Sequence, residues 1–101
     1  MAKYHLTNKA VEDLSTIWVY TAEYWSESQA DHYYNMLIGA CREIAESEHL
    51  LGTTYNEVME GLRGYRQGKH IIFWQHLTNG DTLIIRIHHQ RMDLKTRLTE
   101  G

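Results

Sequence analysis

Midway along this 101-residue chain the apolar residues change period, from steps of three and four to steps of two, and no other feature limits the possible folds as strongly. Ala10, Leu14, Ile17, Trp18, Thr21 and Trp25 recur at three and four, with Glu12, Asp13, Ser15, Thr16 and Glu23 between them. That spacing predicts an amphipathic helix of about four turns, opened by a side-chain cap from Thr7 or Asn8. Beyond a break at Ser26, where Ser28 offers a cap, Ala30, Tyr33, Tyr34, Leu37, Ile38, Cys41, Ile44 and Ala45 repeat the pattern. So short a break permits only a helical hairpin. The second helix is expected to end between His49 and Gly52, where glycine suits a left-handed cap.

From Leu62 the pattern alternates, with Leu62, Gly64 and Arg66 opposing Arg63, Tyr65 and Gln67. Gly68-Lys69 reads as a tight turn into a strand from His70 to Leu77, and Asn79-Gly80 is a strong hairpin signal before a strand from Thr82 to His89. Consecutive short turns make these three strands antiparallel. Tyr4 to Thr7 alternates as a short strand, whereas Thr53 to Glu60 has no period and reads as a loop with a short turn. The expected class is α+β: an N-terminal strand, a helical hairpin and a three-stranded antiparallel C-terminal sheet, with the hairpin covering one sheet face. Met92 to Leu98 suits a helical turn or an extended arm equally.

The length predicts one small domain spanning 1–101. The lone Cys41 excludes an intramolecular disulfide, no apolar run approaches the roughly 20 residues that span a bilayer, and Met1 to His5 lacks the apolar stretch of a signal peptide. The expected location is the cytoplasm. With no His-Glu-x-x-His run, no paired cysteines and seven histidines scattered without ligand spacing, neither a metal nor another cofactor is expected.

The net charge of -3 conceals a division. Through Gly61 three bases face ten acids, a net -7, and from Leu62 onward seven bases face three acids, a net +4. Either the two parts neutralise each other across the fold, or the basic strands attract an anionic partner. Adjacent strand residues point to opposite sides, so only one of His88 and His89 faces a given partner, and Arg63 and Arg66 serve different contacts. One of those two arginines is expected to anchor the fold through an acid such as Asp13. Among the aromatics of the helical hairpin, Trp18 and Trp25 are expected in the core. Tyr20 and Tyr24 fall off the buried face, where an exposed aromatic strip suits a wrapped partner chain.

The stretches Tyr4 to Thr7, Asp13 to Thr21, Gln29 to Tyr34, Gly61 to Trp74 and Ile85 to Asp93 resemble, in order and over nearly the whole chain, the ParE branch of the ParE/RelE toxin superfamily. The RelE branch contains ribosome-dependent mRNA endonucleases, for which His88 or His89, Glu57 or Glu60, and a clamp of Arg63, Arg66 and Arg86 supply the residue types that phosphoryl chemistry needs. Those are also ordinary contents of a basic sheet. The ending is more discriminating: His89, Arg91, Met92 and Asp93 look like the His-x-Arg-Met-Asp close of ParE proteins, and no tyrosine follows Tyr65. The resemblance implies a toxin of a type II toxin–antitoxin system that inhibits DNA gyrase, blocks replication and is neutralised by a ParD-like antitoxin with a disordered C-terminal segment. It implies no catalytic residue. Target contacts would fall on Arg63, Arg66, Lys69, Arg86, His89, Arg91 and Met92, and antitoxin contacts on Tyr20 and Tyr24. A non-toxic binding relative is the remaining class. The chain departs from the family pattern at Ser26, at Glu48 and in Lys95-Thr96-Arg97-Leu98.

Overall fold

The computed structural model describes residues 3–90. In chain order the elements are β1 (Tyr4–Leu6), α1 (Asn8–Tyr24), α2 (Glu27–Glu46), β2 (Thr53–Thr54), β3 (Arg63–Gln67), β4 (His70–His76) and β5 (Thr82–His89). They form a two-helix hairpin and one five-stranded mixed sheet in the order β1-β5-β4-β3-β2. β1 runs parallel to β5, and the other pairs are antiparallel.

Both helices start where a short side chain replaces a missing backbone acceptor. The Thr7 hydroxyl accepts the Ala10 N–H at 3.0 Å, and the Ser26 hydroxyl accepts that of Gln29 at 3.0 Å. The second cap is therefore Ser26 rather than Ser28. α2 runs only to Glu46, with Ser47 as its C-cap, so Gly52 lies beyond the helix. Gly52 has a φ of 84° and sits against β3, where a Cβ would lie 2.1 Å from the Gly64 carbonyl oxygen. Only glycine allows that approach, which brings Thr53–Thr54 alongside Gly64 and Arg63. The loop expected there thus contains a fifth strand, too short to leave a period in the sequence.

One core lies between helices and sheet. Ala10, Leu14, Leu37, Ala40, Cys41 and Ile44 meet Ile72, Trp74, Ile84 and Ile87 there. Ile84 and Ile87 share that face although three apart, because β5 is irregular between them: Phe73 pairs with Arg86 while Trp74 pairs with Ile84, leaving Ile85 as the additional residue of a bulge. The helical hairpin is not the only cover. Leu62 and Phe73 are fully buried on the other face beneath Tyr55, Val58 and Met59 of the segment between β2 and β3. Trp25 departs from expectation. It is the C-cap residue of α1 and 76% exposed, since the helix runs past the sheet before its last turn. Trp18 is half-buried at the rim, and its indole N–H donates to Asp31 Oδ1 at 2.9 Å across the hairpin.

Candidate functional site

The β3–β4 hairpin carries three of the cations singled out in the sequence, and the pleat separates them. Arg63 pairs with Trp74 on the helix side, where its guanidinium donates to the carbonyls of Leu50, Leu51 and Gly52 at 3.2, 3.1 and 2.9 Å. It pins the chain leaving α2. Arg66, paired with Ile71, lies on the opposite face and is exposed, its Nε reaching the Gly68 carbonyl at 3.4 Å; Lys69 at the turn is also exposed. Arg66 and Lys69 thus form the accessible basic corner, and Arg63 has a structural task.

Arg86 has one as well. Its Nε and second guanidinium nitrogen donate to the two Asp13 carboxylate oxygens at 2.8 and 3.0 Å, and the Ile87 N–H donates to the same carboxylate at 2.9 Å. β1 ends at Leu6, opposite Ile84, so the next stretch of β5 lacks a neighbouring strand. Thr7 and Asp13 supply the missing partners: the Thr7 hydroxyl donates to the Ile85 carbonyl at 2.7 Å and Asp13 receives Ile87. The hydrogen bond that Arg86 donates to Asp13 raises its pKa above the ordinary value. The acid expected to hold Arg63 or Arg66 therefore holds Arg86. The sequence contained Asp13 and Arg86 but no signal of their pairing, because 73 residues separate them.

The two histidines divide as alternation requires. His88 is buried at 1% exposure, its ring 5.9 Å from that of Phe73. His89 is half-buried and pairs with His70 on the side where α2 passes, the two ring centroids 5.4 Å apart. The Tyr33 hydroxyl, from α2, accepts the Lys69 N–H at 3.1 Å and is hydrogen-bonded to His70 Nδ1 at 2.7 Å. Burial, followed by the influence of His89, lowers the His70 pKa to about 4, so its imidazole is neutral at neutral pH. Burial raises the Tyr33 pKa, against the opposing Lys69 hydrogen bond. This Tyr33–His70–His89 cluster was not legible in the sequence, where Tyr33 reads only as one more residue of an apolar stripe.

Tyr20 and Tyr24 are 59% and 67% exposed, their rings stacked at 4.5 Å one helical turn apart. With Trp25 they make an aromatic end to the helical hairpin. Arg91 and Met92 lie outside the described residues. Among the described residues no three His, Cys, Asp or Glu side chains converge as metal ligands, and no helix is long and apolar enough to cross a membrane.

The class the fold defines is α+β, a helical hairpin on a small mixed sheet, with exposed cations at the β3–β4 turn and exposed rings at the hairpin's end. Residues 4–94 match the family described as ParE toxin of type II toxin-antitoxin system, parDE, and the chain belongs to that family. It is 30% identical over 97 residues to Toxin ParE1 of Mycobacterium tuberculosis, covering 96% of this chain and 98% of that protein. It is 31% identical over 98 residues to Toxin ParE1 of Caulobacter vibrioides, with 97% and 99% covered, and 32% identical over 100 residues to Toxin ParE of Escherichia coli, with 99% and 96% covered. The fold is that of a solved chain described as the chromosomal ParDE TA system from P. aeruginosa, with a TM-score of 0.76, 15% identity and coverage of 88% of this chain and 96% of that one.

Proposed function

We propose that this ParE-family protein is a toxin that inhibits DNA gyrase and is neutralised by a ParD-like antitoxin. The observation that carries this reading is the exposure of Arg66 and Lys69 on the basic hairpin, on a chain whose acidic helices present Tyr20, Tyr24 and Trp25 elsewhere. Cations at an accessible corner attract the phosphates or acidic surface of a gyrase–DNA complex. Exposed rings at the end of an acidic hairpin suit the apolar anchors of an antitoxin segment that folds on binding. Arg63 and Arg86 support the surface from within, and contact with the target falls to Arg66, Lys69, His89 and the tail residues Arg91 and Met92.

The test has two parts. Expression without an antitoxin is expected to arrest growth, and healthy cells with abundant protein would refute the toxin reading. Purified protein added to gyrase and relaxed plasmid is expected to block supercoiling or accumulate linear DNA. No effect at excess protein removes gyrase as the target, and codon-biased mRNA cuts detected by primer extension would assign the activity to ribosome-dependent cleavage instead.

A further inference from the structure

The His70–His89 pair lies beside the basic turn, where His89 is also assigned to target contact, and the reading of gyrase as target does not depend on metal binding there. These residues are 19 apart in sequence, yet the register of β4 against β5 sets them directly opposite each other on one face. Directly opposed side chains on antiparallel strands hold their Cβ atoms about 4.5–5.5 Å apart, close enough for two imidazoles to meet at one point. The ring centroids are 5.4 Å apart. With metal–nitrogen bonds of about 2.0–2.1 Å, two imidazoles on one tetrahedral ion have centroids about 5 Å apart, close to the separation of this pair.

Tyr33 adds the outer contact such a site requires. Its oxygen lies 2.7 Å from His70 Nδ1 and already accepts the Lys69 N–H, and a phenolic oxygen has a second lone pair for an Nδ1–H. With Nδ1 held in that hydrogen bond, Nε2 is the nitrogen left to bind metal. A fixed partner on the far nitrogen orients metal-bound histidines generally.

We propose that His70 and His89 form a two-histidine site for a borderline divalent transition metal, Zn2+ or Cu2+, that staples the start of β4 to the end of β5. Water fills the remaining coordination positions. An all-imidazole donor set favours these ions over Mg2+ or Ca2+, which prefer oxygen. The cations Arg66 and Lys69 on the neighbouring hairpin oppose binding, so the affinity is that of an exchangeable ion rather than of a structural zinc. Linear motif reading does not detect such a site, because strand register and not ligand spacing creates it.

The experiment is a titration of the full chain at neutral pH with Zn2+ alone, and separately with Cu2+ alone, followed by calorimetry and histidine-resolved NMR. One saturable equivalent is expected, with the His70 and His89 ring signals moving in Zn2+ or broadening in Cu2+ while those of the exposed His32 and His49 do not. Loss of an outer-shell partner costs about 10–100-fold in metal affinity, so Tyr33→Phe is expected to weaken binding about tenfold, and His89→Asn, which removes a ligand, to abolish it. His32→Ala and His49→Ala are expected to bind as the parent does. Should His70→Ala fail to fold, His89→Asn and the site-resolved signals still decide. No saturable binding at millimolar metal overturns the proposal, as does one equivalent that survives in His89→Asn or disappears in His49→Ala. Growth arrest is not the readout, so failure of the metal site and failure of the gyrase reading are separately visible.

Discussion

Replacing Asp13 with alanine removes one carboxylate that receives two guanidinium hydrogen bonds and one backbone hydrogen bond. The pair is well covered, with 17% of the Arg86 and 14% of the Asp13 side chain exposed, so water only partly replaces what is lost. Breaking a fully buried ion pair from one side costs about 3–5 kcal/mol. Residual exposure reduces that, and the better helix propensity of alanine returns about half a kcal/mol. The net expectation is a loss of about 2–3 kcal/mol. In urea, with a slope of about 1–3 kcal/mol per molar, the midpoint falls by about 0.7–3 M. Asp13→Asn, which keeps an acceptor but not the charge, should fall between parent and Asp13→Ala. The double variant Asp13→Ala/Arg86→Ala is expected to be more stable than the sum of the single losses by about 1–3 kcal/mol, because removing both partners leaves no unpaired charge. A loss below about 1 kcal/mol in Asp13→Ala, or strict additivity, would refute the view that Asp13 ties α1 to β5 through Arg86.

Gly52→Ala places a Cβ 2.1 Å from the Gly64 carbonyl oxygen on a backbone with positive φ, and a loss of about 2 kcal/mol or more is expected from thermal unfolding. At the other end of the sheet, the hydrogen bond from His5, followed by that of the Lys3 N–H, lowers the Asp81 pKa below its ordinary value. A carboxyl lowered on folding contributes stability that is present above its unfolded pKa and lost as pH falls through the folded one. Asp81→Asn should therefore be less stable than the parent at neutrality, where the contribution is fully present, and converge with it as pH falls below about 4, flattening the acid limb; a parent-like acid limb contradicts the assignment. Tyr20→Ala combined with Tyr24→Ala should leave stability within about 0.5 kcal/mol per site, since both rings are exposed, yet weaken the antitoxin complex at least about tenfold in a binding titration. Unchanged affinity would move the antitoxin to another surface.

Much of the architecture follows from periodicity, because burial on one side of a helix or strand writes itself into the order of residues. The helical hairpin, the Gly68 and Asn79-Gly80 turns and the three C-terminal strands lie close to where spacing puts them. What escaped was set by distance along the chain. A two-residue strand has no period, and the parallel pairing of β1 with β5 joins residues nearly eighty apart. Trp25 continues the apolar rhythm of α1, but the sheet does not extend beneath it, and rhythm alone carries no information about where a neighbouring element stops. The candidate site shows the same division. The exposure of Tyr20 and Tyr24 and the opposite facing of Arg63 and Arg66 follow from local geometry. The attachment of Arg86 to Asp13, of Arg63 to three carbonyls and of His70 to Tyr33 depends on contacts across the fold that local rules do not encode.

The sheet is bordered by stubs, three residues of β1 on one margin and two of β2 on the other. A visiting β-ribbon therefore finds almost no ladder to lengthen, and polymerisation edge to edge has little place to begin. The safeguard is asymmetric. Trimming the chain past Leu6 would strip Thr82, Leu83 and Ile84 of β5 of their parallel neighbour and bare that stretch as an adhesive margin. Protection of this margin thus rests, far more than their number suggests, on three residues near the start of the chain.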